Sequence, residues 1–214
     1  MQPKPLLYSQ RMEKKERARS RESKEKILRT TMQVFLKKGS YTATSTTDIC
    51  RAAKIGRPTL YNYFDSKRNL FYSLHLDHME KVLKPYLDEA SSIDDPLTRL
   101  IFMIHTFTGE VIGRHPELRF LIHDTLAIKD RYFRDTRRKW KHHYLLLRST
   151  ISELQDQGKA RKDMSPSYAA LFVLGMMTWG TFWLDFRRRE GIDEIVKSAV
   201  DFALDGLKVK APIP

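Results

Sequence analysis

The chain has 214 residues, a mass of 25.2 kDa and 41% hydrophobic residues, enough for a buried core in one large or two small globular domains. Its formal net charge of +13 is uneven: residues 1–70 hold 17 Lys and Arg against 6 Asp and Glu, while residues 71–214 hold 22 against 20. A merely soluble basic surface would spread that excess along the chain, so a polyanion is the expected partner of the N-terminal third.

Residues 1–23 read as a basic flexible arm, with Pro3 and Pro5 in a tail over residues 1–10. From Arg11 to Lys26 acids alternate with bases, and pairs such as Glu13 with Arg17 and Glu22 with Lys26 have the spacing that extends a helix backwards. Two readings stay open: a solvated, partly frayed arm, or one that reaches into a DNA minor groove. No apolar core follows these basic residues, so no secretory signal is predicted.

Ile27, Thr31, Val34 and Phe35 share one helix face, and Gly39 is the expected C-cap. Ser45-Thr46-Thr47-Asp48 fits a capping box, and Ile49, Ala52 and Ala53 continue at helical spacing to Lys54-Ile55-Gly56. Pro58 then sits in the first turn of a second short helix running to Phe64, where its missing N–H costs nothing. Two short helices joined by a tight turn form a helix-turn-helix pattern whose second helix can lie in a major groove. Cys50, the single cysteine, excludes an internal disulfide and a four-cysteine zinc site, is expected to be a small buried hydrophobe, and suits a reducing cytoplasm.

These residues, with Ile27-Leu28, Phe35, Gly39, Thr46-Thr47, Ile49, Ala53, Ile55, Pro58-Thr59-Leu60-Tyr61-Asn62-Tyr63-Phe64, Ser66-Lys67 and Leu70, resemble the DNA-binding domain of the tetracycline-repressor (TetR) family. Three features depart from the pattern: Lys54 stands at the usual turn glycine, Thr30-Thr31 replaces an alanine pair, and the loop from Gly39 to Thr46 is about one residue longer. The resemblance implies DNA contacts at Thr46, Thr47, Arg57, Pro58, Thr59, Tyr61, Asn62, Tyr63 and Lys67. Their chemistry divides: Arg57 suits a guanine edge, Asn62 an adenine edge, and Pro58 and Thr59 a thymine methyl. Thr46, Tyr63 and Lys67 suit phosphates, which set register without reading sequence. Leu60 and Phe64 are expected to face the domain's own core. The helix-turn-helix domain is placed at residues 24–70, and an effector-binding and dimerisation domain at residues 71–214.

Ser66 is expected to cap a long helix with the stripe Leu70, Phe71, Leu74, His78 and Val82, which Pro85 is expected to kink or end near Lys84. Ser91 to Pro96 reads as a linker. Further helices follow over Leu97 to Arg114, Pro116 to about Ile128, Asp130 to Gln157, Ser167 to Arg188 and Ile192 to Lys208, with no alternating strand pattern. The chain is therefore expected to be all-α, with about nine helices. The 17-residue run Tyr168 to Leu184, followed by Arg187-Arg188-Arg189, has two readings: a short membrane span, or a helix packed on its own domain and on a partner subunit. In the second, which the resemblance also implies, Phe172, Gly175 and Trp183 meet Ile195, Ala199 and Phe202 in a four-helix dimer interface.

No glycine-rich phosphate loop, nucleophile elbow or paired acid motif occurs, so no enzyme activity is predicted. His75 and His78 near Asp77, and His142-His143, make a metal site conceivable, but packed histidines explain them as well and no cofactor is assigned. His105, Phe107, Phe120, His123, Trp140, Met176 and Trp179 have the composition of a mostly apolar pocket; the family's small-molecule effector is placed there by analogy. The expected function is a homodimeric, ligand-released repressor on a palindromic double-stranded operator, not associated with a membrane. A sequence-independent DNA-binding protein and an enzyme with a borrowed head remain the alternatives.

Overall fold

The computed structural model of the chain describes residues 5–113, 117, 121, 131–183 and 191–209, and every regular element among them is a helix. In chain order these are α1 (Pro5–Lys38), α2 (Thr46–Ala53), α3 (Arg57–Tyr63), α4 (Lys67–His78), α5 (Lys84–Ser91), α6 (Pro96–Thr106), α7 (Arg131–Asp156), α8 (Pro166–Trp183) and α9 (Ile192–Gly206). Of the expected short helix from Pro116 to about Ile128 only residues 117 and 121 are described, both helical. Two compact units form, Met1–Leu74 and His75–Pro214, and the division falls inside α4.

The first unit closes around Phe35, Ile49, Leu60, Phe64 and Leu70, all nearly or fully buried. Its start differs from the sequence reading, because residues 5–23 are helical and continue α1 backwards. Within α1, Arg21 pairs with Glu25 at 3.6 Å, one turn on. Gly39 ends α1 in the left-handed region at φ 79°, its N–H donating to Phe35 O at 2.8 Å. Thr31, standing where an alanine was expected, donates its hydroxyl to Ile27 O at 2.7 Å, so its polar atom is satisfied inside the core.

The capping box forms. Asp48 N–H donates to Ser45 Oγ at 3.1 Å and Ser45 N–H to Asp48 Oδ2 at 3.0 Å. Lys38 Nζ reaches the same carboxylate at 3.0 Å. The Ser45 hydroxyl and N–H, then Lys38, hold the Asp48 carboxyl well below the usual carboxylate range. Lys54 takes the turn position in the left-handed region, φ 55° and ψ 46°, with its N–H donating to Arg51 O and Cys50 O. That region is accessible to a non-glycine residue at modest cost, so the helix-turn-helix turn closes without its glycine.

In the second unit, α4 runs into α5 through a π turn at Met79–Leu83, where Lys84 N–H reaches back five residues to Met79 O. Pro85 lacks an N–H and would crowd the carbonyl four residues before it; the widened turn just ahead accommodates it and the helix goes on rather than ending. Asp95 caps α6 through Thr98 N–H at 2.8 Å. A second π turn, Phe107–Ile112, follows α6, closed by Gly113 N–H to Thr108 O at 3.1 Å. A Cβ at Gly113 would stand 2.2 Å from Gly109 O, so only glycine fits. The core joins Leu83, Tyr86, Leu100, Met103, Ile104, Phe107, Leu147, Ile151 and Leu154 with the inner face of α8. Among the described residues no helix is long and apolar enough to cross a membrane.

Candidate nucleic-acid interface

The recognition helix α3 is short because its ends are fixed locally. Gly56 precedes it in extended conformation, Pro58 occupies its first turn, and Phe64 leaves it in extended backbone. Leu60 and Phe64 are 2% and 1% exposed and anchor α3 to the core. That leaves Arg57, Pro58, Thr59, Tyr61 and Asn62 on the exposed side, with Tyr61 47% exposed. Tyr63 is half-buried, its ring 6.5 Å from that of Phe64.

Tertiary contacts tie two of these cations to neighbours that sequence reading missed. Arg57 Nη2 donates to Thr47 Oγ1 at 2.6 Å, so the first turn of α2 orients the guanidinium on α3. A hydroxyl ten residues upstream of an arginine carries no periodic signal; only the turn between the helices brings them together. Lys67 Nζ lies 4.0 Å from the centroid of the Tyr41 ring, which itself packs against Phe35 and Phe71 at 6.0 and 5.1 Å. The loop residue Tyr41 thus holds the ammonium at the start of α4, a helix N-terminus that favours a phosphate. Thr46 is half-buried and Thr47 exposed at the start of α2. Ser66 Oγ accepts from Asn69 N–H at 3.0 Å, capping α4 as expected.

The residues expected in an effector pocket do not gather as a set. Phe107 is buried and its ring lies 6.1 Å from that of half-buried Trp140. His105 is exposed, Trp179 is 60% exposed, and Met176 lines a different cleft. Phe120 and His123 lie outside the described residues. Around Phe107 and Trp140 the structure places Tyr86, Phe102 and His143 instead. Tyr86 Oη is 3.1 Å from Met103 O and 3.0 Å from His143 Nε2. Donating to the carbonyl, the phenol accepts from the Nε2–H tautomer of His143 and ties α5 to α6 and α7. Residues 86 and 143 are 57 apart, so nothing local announces the pair.

Burial lowers the His143 pKa to about 3, with His142 adding repulsion, and burial with His78 alongside lowers that of His75 to about 4. Below pH 6.5 the unfolded chain takes up protons that these folded histidines refuse, so stability falls as pH drops from 6.5 towards 4. Urea midpoints should decrease between about pH 7 and about pH 4.5, and less steeply in His143→Gln. Identical midpoints at the two pH values would contradict neutral burial.

A cleft of about 370 Å³ opens between α8 and α9, lined by Met164, Phe172, Val173, Met176, Phe202 and Leu207. On this face Tyr168, Leu171, Phe172 and Phe202 are 64%, 52%, 67% and 71% exposed. Gly175 is exposed and Ile195 and Ala199 half-buried; the side chain of Trp183 lies outside what the structure describes. Among the described residues no group of three or more His, Cys, Asp or Glu side chains is placed to hold a metal ion.

A basic three-helix unit that presents the exposed side of a short, core-anchored second helix, joined to a helical body, defines a helix-turn-helix DNA-binding regulator. Comparison with known proteins gives its family. Residues 27–74 match "Bacterial regulatory proteins, tetR family" and residues 94–207 match "Tetracyclin repressor-like, C-terminal domain". The chain belongs to the TetR family of transcriptional regulators.

A curated relative, an uncharacterized HTH-type transcriptional regulator from Lactococcus lactis subsp. lactis, is 39% identical over 85 residues, 39% of this chain and 43% of that protein. The chain thus matches less than half the length of that relative. Similar solved structures include AibR in complex with isovaleryl coenzyme A and operator DNA, with a TM-score of 0.74, 22% identity, and 84% of this chain and 97% of that one covered. PfmR, a TetR family transcriptional regulator from Thermus thermophilus, has a TM-score of 0.74, 22% identity and coverage of 87% and 99%. FadR from Bacillus subtilis, in complex with stearoyl-CoA, has a TM-score of 0.70, 16% identity and coverage of 85% and 98%. At these identities the likeness is one of fold.

Proposed function

We propose that the protein is a ligand-released repressor that binds a palindromic operator as a homodimer. The observation that carries the reading is α3, whose exposed side combines a Thr47-tethered Arg57 with Pro58, Thr59 and Asn62 on the most basic part of the chain. Two-fold symmetry would set the recognition helices about 34 to 36 Å apart, one helical turn of DNA, or a multiple of that. The helix through Lys67 and Tyr86 begins in the DNA-binding unit and continues into the body, and it is the lever of the proposal. An effector that prefers a body conformation with wrongly spaced heads shifts the population off DNA; one indifferent to both conformations does nothing.

The effector is a largely apolar small molecule. The aromatic set Tyr86, Phe102, Phe107 and Trp140 supports this, and the acyl-coenzyme A ligands of AibR and FadR, each an apolar chain on a charged carrier, make acyl thioesters the first class to test. Gel-shift titration of the operator complex with short and long acyl-coenzyme A, against free coenzyme A and the free acids, should show release by one chain-length class. A ligand that raises the melting temperature without changing operator affinity would remove the lever from the proposal.

Arg57→Ala should relax preference at one base position at a cost of about 1 to 3 kcal/mol, while Lys67→Ala should weaken all duplexes alike and flatten the salt dependence. Competition across operator variants at several salt concentrations separates the two. Equal behaviour of the two variants would sink this division of labour. A wild-type protein with no preference for any duplex would instead be a sequence-independent binder.

A further inference from the structure

We infer that the helical extension of α1 ahead of residue 27 is a second DNA-contacting element, lying along the phosphate backbone beyond the reach of α3; the inference rests on the DNA-binding reading above. Helix α1 begins at Pro5, whereas the family match begins at Ile27. Residues 5–26 at about 1.5 Å per residue make a rod of about 33 Å, close to one turn of duplex.

This rod has the surface of a polyanion ligand. Residues 18–26 are exposed without exception, so that stretch offers no face to the domain core. Residues 5–26 carry eight Lys and Arg against four Glu. By sequence, basic residues recur at helical spacing at positions 11, 15, 19 and 26, with Glu22 as the one acid in that register. Arg21 pairs with Glu25 at 3.6 Å, and Lys24 Nζ stands 5.5 Å from the centroid of the Phe64 ring.

The Lys24 contact places the rod. Phe64 immediately follows α3, so the extension leaves the domain core beside the C-terminal end of the recognition helix. Its conformation selects the mode of contact. A helix with side chains is about 10 to 12 Å across and the minor groove about 6 Å wide, so a helical extension cannot enter that groove as an extended arm does. What it can reach is the phosphate backbone, where Lys and Arg displace counterions without reading sequence.

The test uses the full-length triple variant Arg11→Gln, Lys15→Gln and Arg19→Gln, which keeps helix-forming residues at each position. Affinities of wild-type and variant protein for mixed-sequence duplexes of about 18 and about 45 base pairs are measured over a salt series, the shorter spanning little more than two half-sites one turn apart. On the longer duplex the variant's slope of log affinity against log salt should be shallower by about 5, near 0.9 for each of the six phosphate contacts that a dimer loses. On the shorter duplex the slopes should agree. Equal slopes on the longer duplex overturn the proposal while leaving α3 as the DNA reader, as would a preference of the rod for acidic protein over duplex. Equal losses on both duplexes would put these side chains inside the footprint of α3 and overturn it too. If wild-type protein binds neither duplex, the regulator reading falls, and this one with it.

Discussion

Phe172→Glu or Phe202→Glu is expected to turn the protein into a monomer and to weaken operator binding by a factor of about 100 to 10,000, the avidity that a second linked half-site contributes. Both rings face solvent in the single chain, 67% and 71% exposed, beside Tyr168 and Leu171 at 64% and 52%. So many large apolar side chains on one face mark an association surface rather than an ordinary exterior. Covering each is worth about 1.5 to 3 kcal/mol, and a two-fold interface contains every residue twice, so one substitution removes two rings and adds two carboxylates. Because neither ring is part of the core, the variant should keep its helical circular dichroism. Sedimentation velocity decides the matter. A glutamate variant that still sediments as a dimer would move the interface elsewhere on the chain.

Arg99→Ala is expected to cost the body about 3 kcal/mol of stability, measured as a lower urea midpoint with an unchanged slope. Arg99 is buried on α6, one residue from Leu100 in the core, yet every edge of its guanidinium is used. Nη1 and Nη2 form two parallel bonds to Glu153 Oε1 and Oε2, each 3.1 Å, and Nη1 also reaches Thr150 Oγ1 at 3.3 Å. Nε and Nη2 donate to Ile93 O and Asp94 O at 2.9 and 3.0 Å, which ties the loop between α5 and α6 to α7. Charge-assisted bonds of this bidentate kind are the strong ones, and their loss strands two loop carbonyls beside a cavity. Arg99→Lys should recover little, since a point charge cannot fork. An Arg99→Ala midpoint within error of wild type would mean that water replaces the fork at no cost.

Local chemistry made much of the first unit legible. The capping box at Ser45, the proline at position 58, the glycine at 39 and the apolar spacing from Ile27 to Phe35 each act within a few residues, and each appears as expected. Lys54 shows the same principle in a departure from the family pattern, because a single backbone position tolerates a left-handed lysine. Less was legible in the body. His105 and Trp179 have the composition of a pocket yet stand exposed, and Met176 turns to the cleft with Phe172 and Phe202. Composition states what a residue can do; the rotation of its helix decides what it meets.

Sequence alone therefore determined the helices after Ile27 and the caps at Gly39, Ser45 and Ser66, which depend on neighbours three or four positions away, and with them the charge asymmetry and the family. Tertiary structure alone decided the partners of Arg57, Lys67, Tyr86 and Arg99, and that residues 5–26 are helical. Three of the four pairings join residues from 26 to 57 positions apart, and even Thr47 with Arg57 depends on the turn between two helices. Such distances close only when whole helices pack, and no short-range pattern encodes how they do so.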